Sequence, residues 1–197
     1  GAGIATGALL NGLSVTLIER DEEAVGRAKA TIAKNVAGAV KKGKLSAEQE
    51  QRIFAEALSL STDYGSLSEV DLVVEAVFED IDVKKQVFQK LDEVCKAGAV
   101  LATNTSYLDV NAIAAVTKRP QDVIGLHFFS PAHIMKLLEV VVADKTAPDV
   151  IATGFQLGKL MRKVAVRAGV CDGFIGNRIL ATYRTAADAI VVDGSTP

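Results

Sequence analysis

The chain has 197 residues, 49% of them hydrophobic and 23% charged, with a formal net charge of −2. That size holds one domain, or one domain and part of another, with the composition of a core-forming globular protein. The slight acidity excludes a basic field for nucleic acid or an anionic membrane surface, and no apolar run approaches the roughly 20 residues of a membrane span.

The opening GAGIATG carries Gly1, Gly3 and Gly7 in a pattern that looks like a glycine-rich dinucleotide loop. Such a loop turns the chain from a buried strand into a helix, and no residue precedes Gly1. Two readings stay open. Either Gly1 is the final glycine of a loop whose strand and first glycines lie upstream, or the three glycines permit close packing of a helix on a sheet. The Ala- and Leu-rich stretch 3–11 predicts a helix ended by Gly12, and SVTLIE (14–19) predicts a strand. A long helix is expected from Asp21 to about Lys42, with Asp21 as its cap and Glu22 and Glu23 in its first turn. Gly43 breaks it. Ser46 followed by Gln49 predicts a capping box and a second helix to about Ala57.

LSLST (58–62) and DLVVEAV (71–77) read as strands, the second suited to burial on both faces. A helix is predicted over 83–95, then a strand running into a polar loop over 99–106. Strands are expected at 122–129, 136–143 and 163–168, with a helix over 148–160 before the last. This alternation predicts an α/β, Rossmann-type doubly wound sheet with a helical-hairpin insertion and its first strand missing. The stretch 173–192 predicts a helix with little to bury itself against, the start of a truncated all-helical C-terminal domain. The expected boundaries are therefore 1–170 for the dinucleotide-binding domain and 171–197 for the helical one.

Glu19 ends the strand after the first helix, where a ribose-binding carboxylate belongs, roughly 20 residues beyond the first loop glycine. Counted from Gly1 the separation is 18 residues, and from a first glycine five residues further upstream it is 23. Arg20 offers itself to a 2′-phosphate that Glu19 would repel, so NAD is expected over NADP. Further along, His127 in GLHFFSP stands at a strand end, where ligands bind in such sheets, with a side chain suited to general base work. Glu139 interrupts the apolar strand KLLEVVV and is costly to bury unless paired. A His127–Glu139 pair satisfies both, the alternative being a structural histidine and an edge-exposed glutamate. With Cys95 and Cys171 the only cysteines and His133 the only other histidine, no metal site and no disulfide framework are expected. Reduced thiols point to an intracellular compartment.

NTSYL, GLHFFSPAHIMKLLEVV and CDGFIGNR, in this order, closely resemble the 3-hydroxyacyl-CoA dehydrogenases of fatty-acid β-oxidation. HFFSPAH with GFIGNR is most similar to the dehydrogenase part of bifunctional enoyl-CoA hydratase/3-hydroxyacyl-CoA dehydrogenases. The resemblance implies that Gly1 is the third glycine of the phosphate loop. It implies NAD-dependent oxidation of (S)-3-hydroxyacyl-CoA to 3-ketoacyl-CoA, with His127 as base, Glu139 as its partner, and Ser106 and Asn177 holding the substrate oxygen. Cofactor contacts are implied at Gly1, Glu19, Val77, Phe78, Glu79, Lys84, Ser106 and Ser130, the last being asparagine in many members. Glu75 competes with Glu79, and family position favours Glu79. Contacts to acyl-CoA fall on Asn35 and Lys42, beside Ser106 and Asn177. The expected partners are the acyl-CoA substrate and either a second copy, paired through the C-terminal domain, or a hydratase domain of the same chain. The expected compartment is bacterial cytoplasm, with the peroxisome as alternative. A stand-alone 3-hydroxybutyryl-CoA dehydrogenase and a catalytically silent, crystallin-like NAD-binding protein are the alternatives in function.

Overall fold

Val15–Ile18 (β1) and Leu58–Ser61 (β2) pair in parallel, and each owes its place to the helices around it. The computed structural model describes residues 1–196. Helix α1 (Ala2–Leu9) precedes β1, and α2 (Glu22–Lys41) follows it. Asp21 caps α2 by accepting from Ala24 N–H. Ser46 and Gln49 form the predicted capping box at the start of α3 (Ala47–Arg52), which runs on as a π-helical turn over Ile53–Ala57. The hairpin of α2 and α3 packs Ile32, Val36 and Ile53 against Leu9 and Leu17.

Five further strands make the second sheet in the order β3 (Leu72–Glu75), β4 (Val100–Thr103), β5 (Val123–Phe128), β6 (Leu137–Val142) and β7 (Val164–Gly169). Helix α4 (Ile81–Val94) and the short α5 (Val110–Ala114) cover one face. Helices α1 and α6 (Pro148–Leu160) cover the other. Both faces of the sheet are thus wound, as the alternation of elements predicts. Helix α5 lies in a stretch for which the sequence reading gave no element.

Strands β3, β4 and β5 are parallel, but β6 runs antiparallel to β5 and β7 follows β6 in parallel. The reversal has a simple cause. Only residues 129–136 join β5 to β6, too few for the crossover of a dozen or more that parallel neighbours need. Strands β1 and β3 belong to different sheets, yet Val15 and Val74 share one core cluster while Ile18 and Val73 share the opposite one. Their residues are mostly half-buried, whereas all four residues of β4 are buried.

The last helix, α7, begins at Gly176 rather than at 173 and ends at Val192, with none of its residues buried. Ile179 and Tyr183 are 65% and 71% exposed. The turn leading into it is tight: Gly173 and Phe174 both take positive φ, and Phe174 is buried.

Candidate active site

Antiparallel pairing of β5 with β6 sets His127 directly opposite Glu139, twelve residues away along the chain. Both side chains are buried, and His127 Nδ1 stands 2.6 Å from Glu139 Oε2. The other carboxylate oxygen accepts from Ile175 N–H at 3.0 Å and Gly176 N–H at 2.8 Å, the first turn of α7. An oxygen that accepts two backbone donors belongs to a carboxylate used as an acceptor throughout. The hydrogen bond to His127 therefore places the imidazole proton on Nδ1. That leaves Nε2 with its lone pair free, the tautomer a base requires.

Two aromatic rings wall the pair. Phe129 lies 4.4 Å from the imidazole centroid and Phe174 lies 5.7 Å away. Gly176 permits this closeness, because a Cβ there would stand 2.7 Å from Phe129 Cζ. Asn177 is the next residue of α7, so the carboxylate that orients His127 also fixes the backbone carrying Asn177. Asn104, which the sequence reading passed over, ties the neighbouring loop to the same strand: its Oδ1 accepts from Phe128 N–H at 2.8 Å. Ser106 stands two residues beyond it, partly exposed at the carboxyl end of β4.

The loops after β3 and β4 are joined by Glu79. Its Oε1 accepts from Ser106 N–H at 2.7 Å and Tyr107 N–H at 3.3 Å, and from the Thr105 hydroxyl. Partial burial raises the Glu79 pKa, but the hydrogen bonds from Thr105 and Ser106, with Lys84 nearby, outweigh it and hold the carboxyl below its ordinary range. Lys84 is fully buried, with Nζ 2.8 Å from Glu75 Oε1, 3.4 Å from Glu79 Oε2 and 3.5 Å from Val77 O. Glu75 also accepts from Val77 N–H at 2.6 Å and the Thr103 hydroxyl at 2.8 Å. Glu75 is therefore the buried anchor of the loop and Glu79 its more exposed end. Lys84→Met leaves the Glu75 carboxylate buried without a counter-charge, and the expected loss is about 3–5 kcal/mol of stability, measured by denaturant unfolding. Val77 and Phe78 project from this loop, 39% and 79% exposed.

Gly1 and Glu19 meet at the start of α1: a Cβ on Gly1 would stand 4.0 Å from Glu19 Oε1. Arg20 turns away, its Nε bonded to Asp21 Oδ2 at 2.7 Å. A carboxylate at the end of this strand, facing the start of α1, fits the ribose hydroxyls of NAD, while a 2′-phosphate would meet Glu19 with Arg20 already engaged. Gly3 and Gly7 serve a different neighbour from the one expected. They face Ala132 and His133 of the β5–β6 connection, with Met161 at the end of α6 also against Gly7, and not a sheet. Asn35 points back to α1, its Nδ2 3.4 Å from Thr6 Oγ1, and Lys42 is exposed at the end of α2. Neither joins the polar cluster around His127. Ser130 is exposed just past Phe129.

Residues 1–171 match the family model described as 3-hydroxyacyl-CoA dehydrogenase, NAD binding domain. The chain is 42% identical to the peroxisomal bifunctional enzyme of Danio rerio over its whole length, and covers 27% of that protein. It is 40% identical to a 3-hydroxybutyryl-CoA dehydrogenase of Clostridioides difficile, covering 98% of this chain and 69% of the relative. The crystal structure of (S)-3-hydroxybutyryl-CoA dehydrogenase from Ralstonia eutropha superposes with a TM-score of 0.96 at 31% identity, over 100% of this chain and 70% of that one. A strand-paired His–Glu couple and a family match over residues 1–171 agree: the chain belongs to the 3-hydroxyacyl-CoA dehydrogenase family and carries its NAD-binding domain.

Proposed function

We propose that the protein oxidises (S)-3-hydroxyacyl-CoA to 3-ketoacyl-CoA with NAD, as the dehydrogenase part of a bifunctional β-oxidation enzyme. The observation that carries this reading is the buried His127–Glu139 pair, with its imidazole oriented as a base and the same carboxylate holding the backbone N–H of Gly176, the residue before Asn177. His127 Nε2 takes the proton of the substrate's 3-hydroxyl and, in the reverse direction, returns it to the ketone oxygen. Bound NAD supplies the acceptor for the hydride that leaves C3. Asn177 and Ser106 hold the oxygen and hydrogen-bond it as it becomes a carbonyl, so positioning carries much of the rate. Glu139 stabilises the imidazolium that forms.

In this reading Glu19 would hold the adenosine ribose and Gly1 the pyrophosphate. Val77, Phe78, Glu79, Ser106 and Ser130 would hold the rest of the cofactor. Lys84 works from behind that loop, since its ammonium is already shared between Glu75 and Glu79. Asn35 and Lys42 contribute to acyl-CoA binding from the hairpin, Lys42 as a point charge for phosphate. A strand upstream of Gly1 fits between β1 and β3, where two half-buried strands share both cores without pairing. Residues 171–197, with the exposed α7, begin a helical domain that closes over the substrate and forms the contact with a second copy or with a hydratase domain. A relative named peroxisomal and a clostridial one are 42% and 40% identical to the chain, so the sequence suits either compartment. No helix among the described residues is long and apolar enough to cross a membrane.

The test is production of NADH from NAD and (S)-3-hydroxybutyryl-CoA by the intact protein. Turnover is expected with NAD and to fall sharply with NADP. Equal rates with both cofactors would overturn the assignment of Glu19.

A further inference from the structure

Residues 129–136, which join β5 to β6, are held on two sides by groups the catalytic pair does not use. On one side lies α1. A Cβ at Gly3 would stand 3.7 Å from Ala132 Cβ, and one at Gly7 3.1 Å from Met161 Cε, 3.6 Å from His133 Cα and 3.7 Å from Ala132 O. Gly3 and Gly7 are four residues apart on one face of the helix, so the loop lies where side chains would otherwise stand. On the other side Lys163, just before β7, donates from Nζ to Ala132 O and, at 2.6 Å, to Met135 O. Ile134 and Met135 N–H both donate to Pro131 O at 2.9 Å, which closes the turn on itself. Lys163 forms no ion pair among the described residues, and burial pushes its ammonium below the ordinary lysine range. A lysine held half-buried on two carbonyls, without a carboxylate, has a use other than surface charge.

We propose that Lys163 is a positioning residue for the nicotinamide half of the cofactor: it clamps the β5–β6 connection onto α1 and so fixes Ser130. The inference rests on the reading of Ser130 and α1 as cofactor contacts. If they are, one rigid piece sets both ends of the dinucleotide, α1 at the pyrophosphate and the clamped loop at the nicotinamide. His127 and Glu139 stand in paired strands and keep their register when the clamp is released. Ser130, on the connection itself, does not keep its place.

Lys163→Met in the intact protein tests this. The Kd of NADH, from fluorescence titration, is expected to rise roughly tenfold, and the KM for NADH with it. The KM for acetoacetyl-CoA is expected to stay within about twofold, because the groups assigned to the acyl-CoA lie off the loop. Lys163→Arg, which keeps donors within reach of both carbonyls, should restore most of the affinity. A lower melting temperature with unchanged NADH affinity would make Lys163 a plain strut and overturn the proposal. An increase confined to the acetoacetyl-CoA KM would overturn it too. If the methionine variant does not fold, Lys163→Gln, which retains one donor, should show a smaller shift in the same direction. A parent protein that binds NADH without oxidising it would refute the dehydrogenase reading, while the Kd comparison still decides the role of Lys163.

Discussion

His127→Gln is expected to lower kcat by roughly 10²–10⁴-fold while the affinity for NADH stays within about twofold, as measured by steady-state kinetics and fluorescence titration. Glutamine keeps a polar group on β5 but has no site that takes up a proton near neutral pH. The side chain is buried beside Phe129 and Phe174 and makes no contact with Glu19 or Gly1, the residues proposed above for the adenosine end of NAD. Equal losses in kcat and NADH affinity would instead make His127 a structural residue whose removal disturbs the whole crevice.

Glu139→Gln is expected to have an effect of similar size, for a different reason. The carboxylate accepts at both oxygens, from His127 on one side and from Ile175 and Gly176 N–H on the other. An amide has a single acceptor oxygen. If that oxygen stays on the backbone donors, the NH₂ faces Nδ1 and forces the proton onto Nε2, where the imidazole no longer serves as a base. If it turns to His127, the NH₂ confronts two N–H groups at the start of α7 and Asn177 shifts with them. A wrong tautomer of this kind costs about a factor of 10⁴ in kcat in a Ser-His-Asp triad. A kcat within about threefold of the parent would show that the imidazole is oriented without Glu139.

Much of this site is legible in the sequence because it rests on strand ends. The strands carrying His127 and Glu139 follow from apolar runs, and the six residues between them already forbid a parallel crossover. Once the pair is antiparallel, registering one buried polar residue on the other is the arrangement that leaves neither unpaired. The anchoring of Glu139 on α7 is not legible, because backbone N–H donors carry no side-chain signature. The same holds for Lys163, whose partners are two carbonyls. Glu75 stood out in an apolar strand, but its partner Lys84 sits nine residues on, in a helix whose pattern reads equally well as solvated. Only the parallel pairing of β3 with β4, which adds Thr103, closes that network. Gly3 and Gly7 were legible as a close approach and not as an approach to a loop, since nothing local to α1 encodes what arrives 125 or more residues later.

The most direct measurement is the loss of NADH absorbance when acetoacetyl-CoA is added to the intact protein, run beside an NADH titration and repeated with His127→Gln. The parent protein is expected to bind NADH and consume it, and the variant to bind it with about the same affinity and consume it at most slowly. NADH bound by the parent without consumption would make this a silent member of the family. Parent-like consumption by the variant would remove His127 from the chemistry.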